Sequence, residues 1–157
     1  HADNHHYRIE EELSAPAVIQ PEHFFGLMQR YTKDFIAQTD CSLLSLDKSE
    51  VLRLLDNYLI FRLNLLNSIS MQAQRMSHIP WRQQPSDIRQ QFVNFLRLRC
   101  LTQAGRKVLR ITMEDLAQEL HQSRLNISRM LNALQRDGLL TMSRGIITIP
   151  QLETLRG

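Results

Sequence analysis

Cysteine and long apolar runs are both scarce in this chain. Its 157 residues include two cysteines, Cys41 and Cys100. Two thiols are too few for a disulfide framework, a four-cysteine zinc site or a four-cysteine iron–sulfur site, so a reducing, cytoplasmic location is the default. No stretch reaches the roughly eighteen uninterrupted apolar residues of a membrane span, and the N-terminus lacks the pattern of a secretory signal. These absences predict a soluble protein that does not enter a membrane.

Catalytic motifs are also lacking. Serine, histidine and acidic residues occur, but no nucleophile motif, phosphate-binding loop or metal-spaced cluster accompanies them. The histidines are isolated imidazoles without a haem or metal motif: His1, His5, His6, His23, His78 and His121. The sequence therefore predicts no enzyme activity, no metal site and no cofactor.

Charge is divided unevenly along the chain. Residues 1–56 contain five Lys/Arg and ten Asp/Glu, whereas residues 57–157 contain fourteen and six, which gives balances of −5 and +8. Much of the basic excess lies between Arg82 and Arg136. A basic region of this kind is a candidate for binding a polyanion, with a solvated basic surface that binds nothing as the alternative.

Residues 1–46 are predicted to form short strands separated by turns. Pro16, Pro21 and Gly26 interrupt several runs that are rich in β-forming residues. The main runs are Tyr7–Ile9, Ala17–Ile19, Phe35–Thr39 and Cys41–Leu46. Four or five short strands bury little surface alone, so this segment needs further strands or a partner.

A helical period replaces the β pattern from Asp47 and continues to about residue 79, before Pro80. Heptads counted from Leu52 place apolar residues at seven of eight successive a and d positions. These positions are Leu52, Leu55, Leu59, Arg62, Leu66, Ile69, Ala73 and Met76. Such a stripe predicts a dimerisation helix, and an ordinary core helix of a monomer is the alternative.

A linker with two prolines, residues 79–85, leads to the basic C-terminal segment. Ser86 is the expected cap of a helix that starts at Asp87. After Gly105, the run Lys107–Ile111 is predicted to form a strand.

Two short helices separated by a three-residue break follow this strand. Thr112 is a suitable N-cap for the first helix, and Ser123 for the second, which runs from Arg124 to about Arg136. The second helix has an inward face of Ile127, Met130, Leu131 and Leu134 and an outward face of Arg124, Asn126, Ser128 and Arg129. This pattern predicts a helix-turn-helix.

A hairpin is predicted after the second helix. Leu139–Met142 and Ile146–Ile149 are β-prone runs on either side of Ser143–Gly145. A hairpin in this place is the wing of a winged helix.

The segments Thr112–Leu120, Gln122–Leu131 and Leu134–Leu140 together resemble the DNA-binding domain of the Crp/Fnr family of bacterial transcription regulators. Upstream, Phe24–Gly26 with Ala37, Thr39 and Cys41 is similar to the closing strands of that family's cyclic-nucleotide-binding-type β-roll. The segment Leu52–Met76 resembles its dimer helix. The resemblance implies an α+β fold with a partial antiparallel β-roll sensor at 1–46, a long dimerisation helix at 47–79 and a winged helix-turn-helix domain at 80–157.

The resemblance also implies which residues contact DNA. Arg124 and Arg129 match positions whose arginines read base edges in the major groove, although surface arginines that pair with nearby carboxylates are the alternative. Leu125 stands where the best-known members have Glu; it cannot accept a hydrogen bond from cytosine, and contact with a thymine methyl replaces that interaction. Phosphate contacts are expected from Thr112, Ser123, Asn126, Ser128 and Arg144.

The expected effector pocket departs from that of cyclic-AMP-binding members. Leu27 follows Gly26 where those members have a Glu for the ribose, and Tyr31 and Thr32 stand where an Arg–Ser pair holds the cyclic phosphate. Without that arginine a cyclic phosphate loses its charge-assisted partner, which argues against cyclic-nucleotide binding unless Arg30 and Lys33 compensate. An effector pocket at Gly26, Leu27, Tyr31 and Thr32 is expected, with its ligand open.

The sequence therefore predicts a homodimeric, sequence-specific regulator that binds a palindromic site in double-stranded DNA, with RNA polymerase as a further partner. A cyclic-nucleotide sensor and a winged-helix module that binds proteins are the alternatives. About forty-six residues precede the long helix, roughly the last half of a β-roll. Because strands short of a closed roll leave open edges, the natural protein is expected to be longer at its N-terminus.

Overall fold

The computed structural model describes residues 2–4, 6–27, 30, 33–77 and 87–155. The chain divides into two compact units. The sheet unit comprises His1–Ala15 and Gln83–Gly157, and the helical unit comprises Pro16–Arg82. The combination of α-helices with an antiparallel sheet confirms the predicted α+β class.

The helical unit contains the helices α1 (Lys48–Asn57) and α2 (Leu59–Ser77). The sheet unit contains the helices α3 (Ile88–Arg99), α4 (Met113–Glu119) and α5 (Arg124–Arg136) and the strands β1 (Ala2–Asn4), β2 (Tyr7–Glu11), β3 (Lys107–Ile111), β4 (Thr141–Ser143) and β5 (Ile146–Ile149). Short 3-10 turns occur at Pro21–His23 and Leu152–Leu155.

The strands of the sheet unit are antiparallel and lie in the order β1-β2-β3-β5-β4. On one side of β3, Lys107 pairs with Ile149, and on the other side it pairs with Glu11. The predicted strand at Lys107–Ile111 and the predicted wing hairpin, here β4 and β5, are confirmed. The hairpin turns at Arg144 and Gly145, and Gly145 has the positive φ of 71° that the turn requires.

The three helices of the sheet unit share one apolar core with this sheet. Its fully buried members include Phe92 and Leu96 from α3, Leu116 from α4 and Leu131 from α5. The side chains of Thr112 and Ser123 cap the N-termini of α4 and α5, as predicted. The N-cap of α3 is Asp87, whose carboxylate accepts hydrogen bonds from the N–H groups of Arg89 and Gln90. The expected cap Ser86 lies outside the described residues. An aspartate serves this role as well as a serine.

β2 is the largest departure from the expected domain organisation. Residues 1–46 were expected to form one partial β-roll sensor. Instead, β2 pairs with β3 over five residue pairs, and its Ile9 is buried in the core of the sheet unit. β3 offers an edge beside the wing, and an unpaired edge favours the addition of a strand. Residues 1–15 therefore belong to the sheet unit.

A buried ion pair anchors β2 to β3. Lys107 is fully buried, and its Nζ lies 3.1 Å from the Glu11 carboxylate. That carboxylate also accepts hydrogen bonds from the backbone N–H groups of Leu101 (2.6 Å) and Thr102 (3.0 Å). Burial raises the pKa of Glu11, but these hydrogen bonds and the Lys107 charge outweigh burial, so the pKa is lower than its ordinary value.

The strands predicted within the helical unit are not present. Residues 17–19, 35–39 and 41–46 are all described, and none of them is in a strand. The strand predictions for Ala17–Ile19, Phe35–Thr39 and Cys41–Leu46 were therefore wrong. A strand needs a neighbouring edge for its backbone hydrogen bonds, and short isolated pairs are marginal in water.

The long helix is interrupted. A single helix was predicted from Asp47 to about residue 79, but Tyr58 has an extended backbone (φ −127°, ψ 101°) and separates α1 from α2. Arg62 stabilises this break, because its Nε donates to the Leu55 carbonyl (2.6 Å) and its Nη2 to the Asp56 carbonyl (3.2 Å). The one polar residue of the heptad stripe thus satisfies carbonyls at the end of α1.

The apolar stripe of α1 and α2 faces outward at several positions. Leu52, Leu59, Leu66 and Ala73 are exposed, and Leu55 and Ile69 are half-buried. The side chain of Met76 lies outside the described residues. Dimerisation through this stripe stays a prediction. Among the described residues, no helix is long and apolar enough to cross a membrane.

Candidate nucleic-acid interface

α4 and α5 are joined by a tight turn at residues 120–123. The Thr112 hydroxyl accepts from the N–H of Asp115 (3.0 Å) at the start of α4, and the Ser123 hydroxyl accepts from the N–H of Asn126 (3.2 Å) at the start of α5. The chain turns at His121, which has a positive φ of 52°. The N–H of Gln122 donates a hydrogen bond to the Ala117 carbonyl (2.9 Å). These contacts give the predicted helix-turn-helix its shape.

The two faces of α5 differ sharply. Ile127, Leu131 and Leu134 are buried in the core, as the periodicity predicted, and Met130 is half-buried. The three predicted base-contacting residues are exposed: Arg124, Leu125 and Arg129. Leu125 is 58% exposed. Packing within the sheet unit therefore does not account for a leucine at this position.

The two arginines have different surroundings. Nη1 of Arg124 lies 3.2 Å from Oε1 of Glu114, and the two side chains are 66% and 72% exposed. Within the described part of the chain, Arg129 has no ion-pair partner. The alternative expectation, that surface arginines pair with carboxylates, is met at Arg124 and not at Arg129. An exposed pair of this kind contributes about 0–1 kcal/mol, so the pair does not prevent Arg124 from binding a ligand.

The predicted phosphate-contacting residues are distributed over three places. Thr112 and Ser123 cap α4 and α5, and Asn126 and Ser128 are half-buried on α5. The Ser128 hydroxyl accepts from Asn132 Nδ2 at 3.3 Å. Arg144 is exposed at the turn of the wing, and the Gly145 carbonyl accepts from the N–H of Ile111 (3.0 Å), just before Thr112. The wing turn therefore lies beside the start of α4.

Residues 90–157 match the family model described as the Crp-like helix-turn-helix domain. These residues form a Crp-like helix-turn-helix domain. The match supports the predicted resemblance of this segment to the DNA-binding domain of the Crp/Fnr family. It does not test the roles of individual side chains.

A solved structure also resembles this chain. It is a transcriptional regulator of the CRP/FNR family from Thermus thermophilus, with 20% sequence identity and a TM-score of 0.39, and the similarity covers 73% of this chain and 56% of that chain. The chain thus spans little more than half the length of that protein. A likeness this distant adds nothing to the assignment of individual residues. No curated protein matches the sequence significantly.

Glu114 is a residue of the Crp-like domain whose contact the sequence pattern does not predict. By its position alone, it is an acidic residue in the first turn of α4, where it suits the positive end of the helix dipole. Its contact with Arg124 joins residues ten positions apart on two helices, and it depends on the turn geometry. Helical periodicity does not report such a contact, because periodicity relates residues within one helix.

The expected effector pocket lies in the helical unit and is described at two of its four residues. Gly26 is half-buried and Leu27 is fully exposed, while Tyr31 and Thr32 lie outside the described residues. Within the described residues, no group of three or more His, Cys, Asp or Glu side chains is placed to hold a metal ion. The identity of an effector stays open.

Proposed function

We propose that this chain is a cytoplasmic, sequence-specific transcription regulator that binds a palindromic DNA site as a homodimer. The observation that carries the proposal is the exposed group Arg124, Leu125 and Arg129 on the first two turns of α5, opposite its buried face. The N-terminal turns of a recognition helix are the part that contacts base edges in the major groove.

Each of these side chains suits a different base. Arg124 and Arg129 donate to O6 and N7 of guanine through their planar guanidinium groups. Leu125 contacts the methyl group of thymine, which suits an exposed apolar side chain. Because a leucine replaces the glutamate of the best-known family members, the half-site of this protein differs from theirs at the base pair that residue 125 contacts.

Phosphate contacts orient the domain. Ser123 and Asn126 lie at the N-terminus of α5, and Thr112 at the N-terminus of α4, where the helix dipole favours an anion. Ser128 contributes from α5 and Arg144 from the wing. Contacts of this class fix the register of the protein on DNA and carry no sequence information directly.

The apolar stripe of α1 and α2 is the proposed dimer interface. A dimer supplies two copies of α5 for two half-sites about one helical turn of DNA apart. An effector that binds the pocket expected at Gly26, Leu27, Tyr31 and Thr32 shifts the relative orientation of the two copies. RNA polymerase is the proposed partner through which DNA binding affects transcription.

Selection from a random pool of DNA duplexes tests the proposal. The wild-type protein is expected to enrich a palindrome whose half-sites contain guanine and thymine and lie one helical turn apart. The enriched sequence is called the selected duplex below. A pool that gains no sequence preference after repeated selection would contradict the proposal and favour a winged helix that binds proteins.

A further inference from the structure

The ion pair between Glu114 and Arg124 joins the two helices of the helix-turn-helix at the proposed DNA surface. Oε1 of Glu114 lies 3.2 Å from Nη1 of Arg124. We propose that Glu114 is a positioning residue, which holds one part of the Arg124 guanidinium and so raises the preference of Arg124 for guanine. This inference rests on the proposed function.

The chemistry of the guanidinium allows both contacts at once. Arginine carries five N–H donors in a planar fork, and a guanine edge uses two of them for O6 and N7. One bond from Nη1 to Glu114 leaves enough donors for the base. A guanidinium that is already held has fewer orientations to lose when it binds, so each base contact costs less entropy.

The negative charge of Glu114 also weakens binding to DNA of any sequence. A carboxylate next to the backbone phosphates repels them, which weakens the electrostatic part of binding. That part is common to all sequences. Glu114 therefore strengthens the guanine contact only on DNA that carries the guanine, whereas its charge weakens binding to every sequence alike. The ratio of specific to non-specific affinity rises through the guanine contact alone.

The variant Glu114→Gln tests this inference because it removes the charge and keeps the shape. We compare affinities for the selected duplex and for a scrambled duplex of the same length. The ratio of the two affinities is expected to fall about fivefold. A change of this size corresponds to the upper end of what an exposed ion pair usually contributes. Affinity for the scrambled duplex is expected to rise, with a salt dependence that steepens by about one phosphate contact.

Glu12→Gln is the matched control. Nη1 of Arg106 lies 2.7 Å from Oε1 of Glu12, and both side chains are exposed. This variant makes the same change in net charge next to another exposed arginine. Arg106 directly precedes β3, at the end of that strand opposite Thr112. The affinity ratio should stay at its wild-type value, because Arg106 does not lie on the recognition helix.

A double variant separates positioning from other effects. If Glu114 acts through Arg124, then Glu114→Gln changes the affinity ratio in the wild-type background and leaves it unchanged in the Arg124→Ala background. An equal fall in both backgrounds, or an unchanged ratio in both, would overturn the inference while sequence-specific binding stands. A wild-type protein that selects no sequence would overturn the proposed function as well. All variants change exposed side chains, and circular dichroism verifies that each one is folded.

Discussion

The sheet unit and the helical unit differ most in where their apolar side chains lie. The buried core cluster is made entirely of residues from the sheet unit. By contrast, fifteen of the eighteen exposed large hydrophobic residues of the described chain belong to the helical unit. Exposed apolar surface on this scale is typical of an interaction surface. The sheet unit therefore buries its own apolar residues, whereas the helical unit needs a partner.

The largest expected effect follows from the core of the sheet unit. Leu131→Ala removes a fully buried side chain from α5 and should lower the free energy of unfolding by about 2–5 kcal/mol. Chemical denaturation measures this change. Leu125→Ala is the matched control on the same helix, and its free energy of unfolding should stay within about 0.5 kcal/mol of the wild type. Equal losses in the two variants would contradict the inward and outward faces of α5.

The buried ion pair gives the next largest effect. Glu11→Gln removes the carboxylate charge that lies 3.1 Å from the buried Lys107 ammonium and should lower the free energy of unfolding by about 3 kcal/mol. The exposed pair of Glu12 and Arg106 is the control, and Glu12→Gln should cost less than about 1 kcal/mol. If Glu11→Gln lowers the free energy of unfolding no more than Glu12→Gln does, β2 is not an integral strand of the sheet unit.

The Glu11 carboxylate also makes the stability of the sheet unit depend on pH. The pKa of Glu11 is lower in the folded protein than its ordinary value. Its contribution to stability is therefore complete above the unfolded pKa and is lost as the pH falls through the folded pKa. Denaturation midpoints measured from neutral to acidic pH should fall more steeply for the wild type than for Glu11→Gln. Parallel curves would contradict this assignment.

The exposed stripe of the helical unit gives a smaller effect, on association. Leu66→Asp places a charge at an exposed stripe position and should weaken the dimer by about 2 kcal/mol, the usual contribution of one buried leucine. Sedimentation equilibrium measures the dimer constant. Asn67→Asp adds the same charge one residue along α2, to a side chain that is already polar, and should leave the dimer constant nearly unchanged. If the wild-type protein is a monomer at every concentration, the proposed dimer interface is wrong.

The two units also differ in how much the sequence could predict. In the sheet unit, α4, α5 and the wing were predictable because caps, helical periodicity and turn residues are local signals, as at Thr112 and Ser123. The strand at Tyr7–Ile9 was predicted and is confirmed as part of β2, but its place in this sheet was not predicted, because Ile9 pairs with Leu109 across one hundred residues of chain. In the helical unit, no proline or glycine marks the break at Tyr58. The Arg62 side chain that stabilises this break had been counted only as an exception in the heptads.

We expect the exposed arginines Arg124 and Arg129 of α5 to read DNA sequence. Arg129 tests it most directly, because within the described residues no carboxylate pairs with it. We measure the affinity of Arg129→Ala for the selected and the scrambled duplex by fluorescence anisotropy, with Arg106→Ala as the control for lost charge. Arg129→Ala is expected to lose about 1–3 kcal/mol of binding free energy on the selected duplex and much less on the scrambled one. Equal losses on the two duplexes, or none, would contradict it.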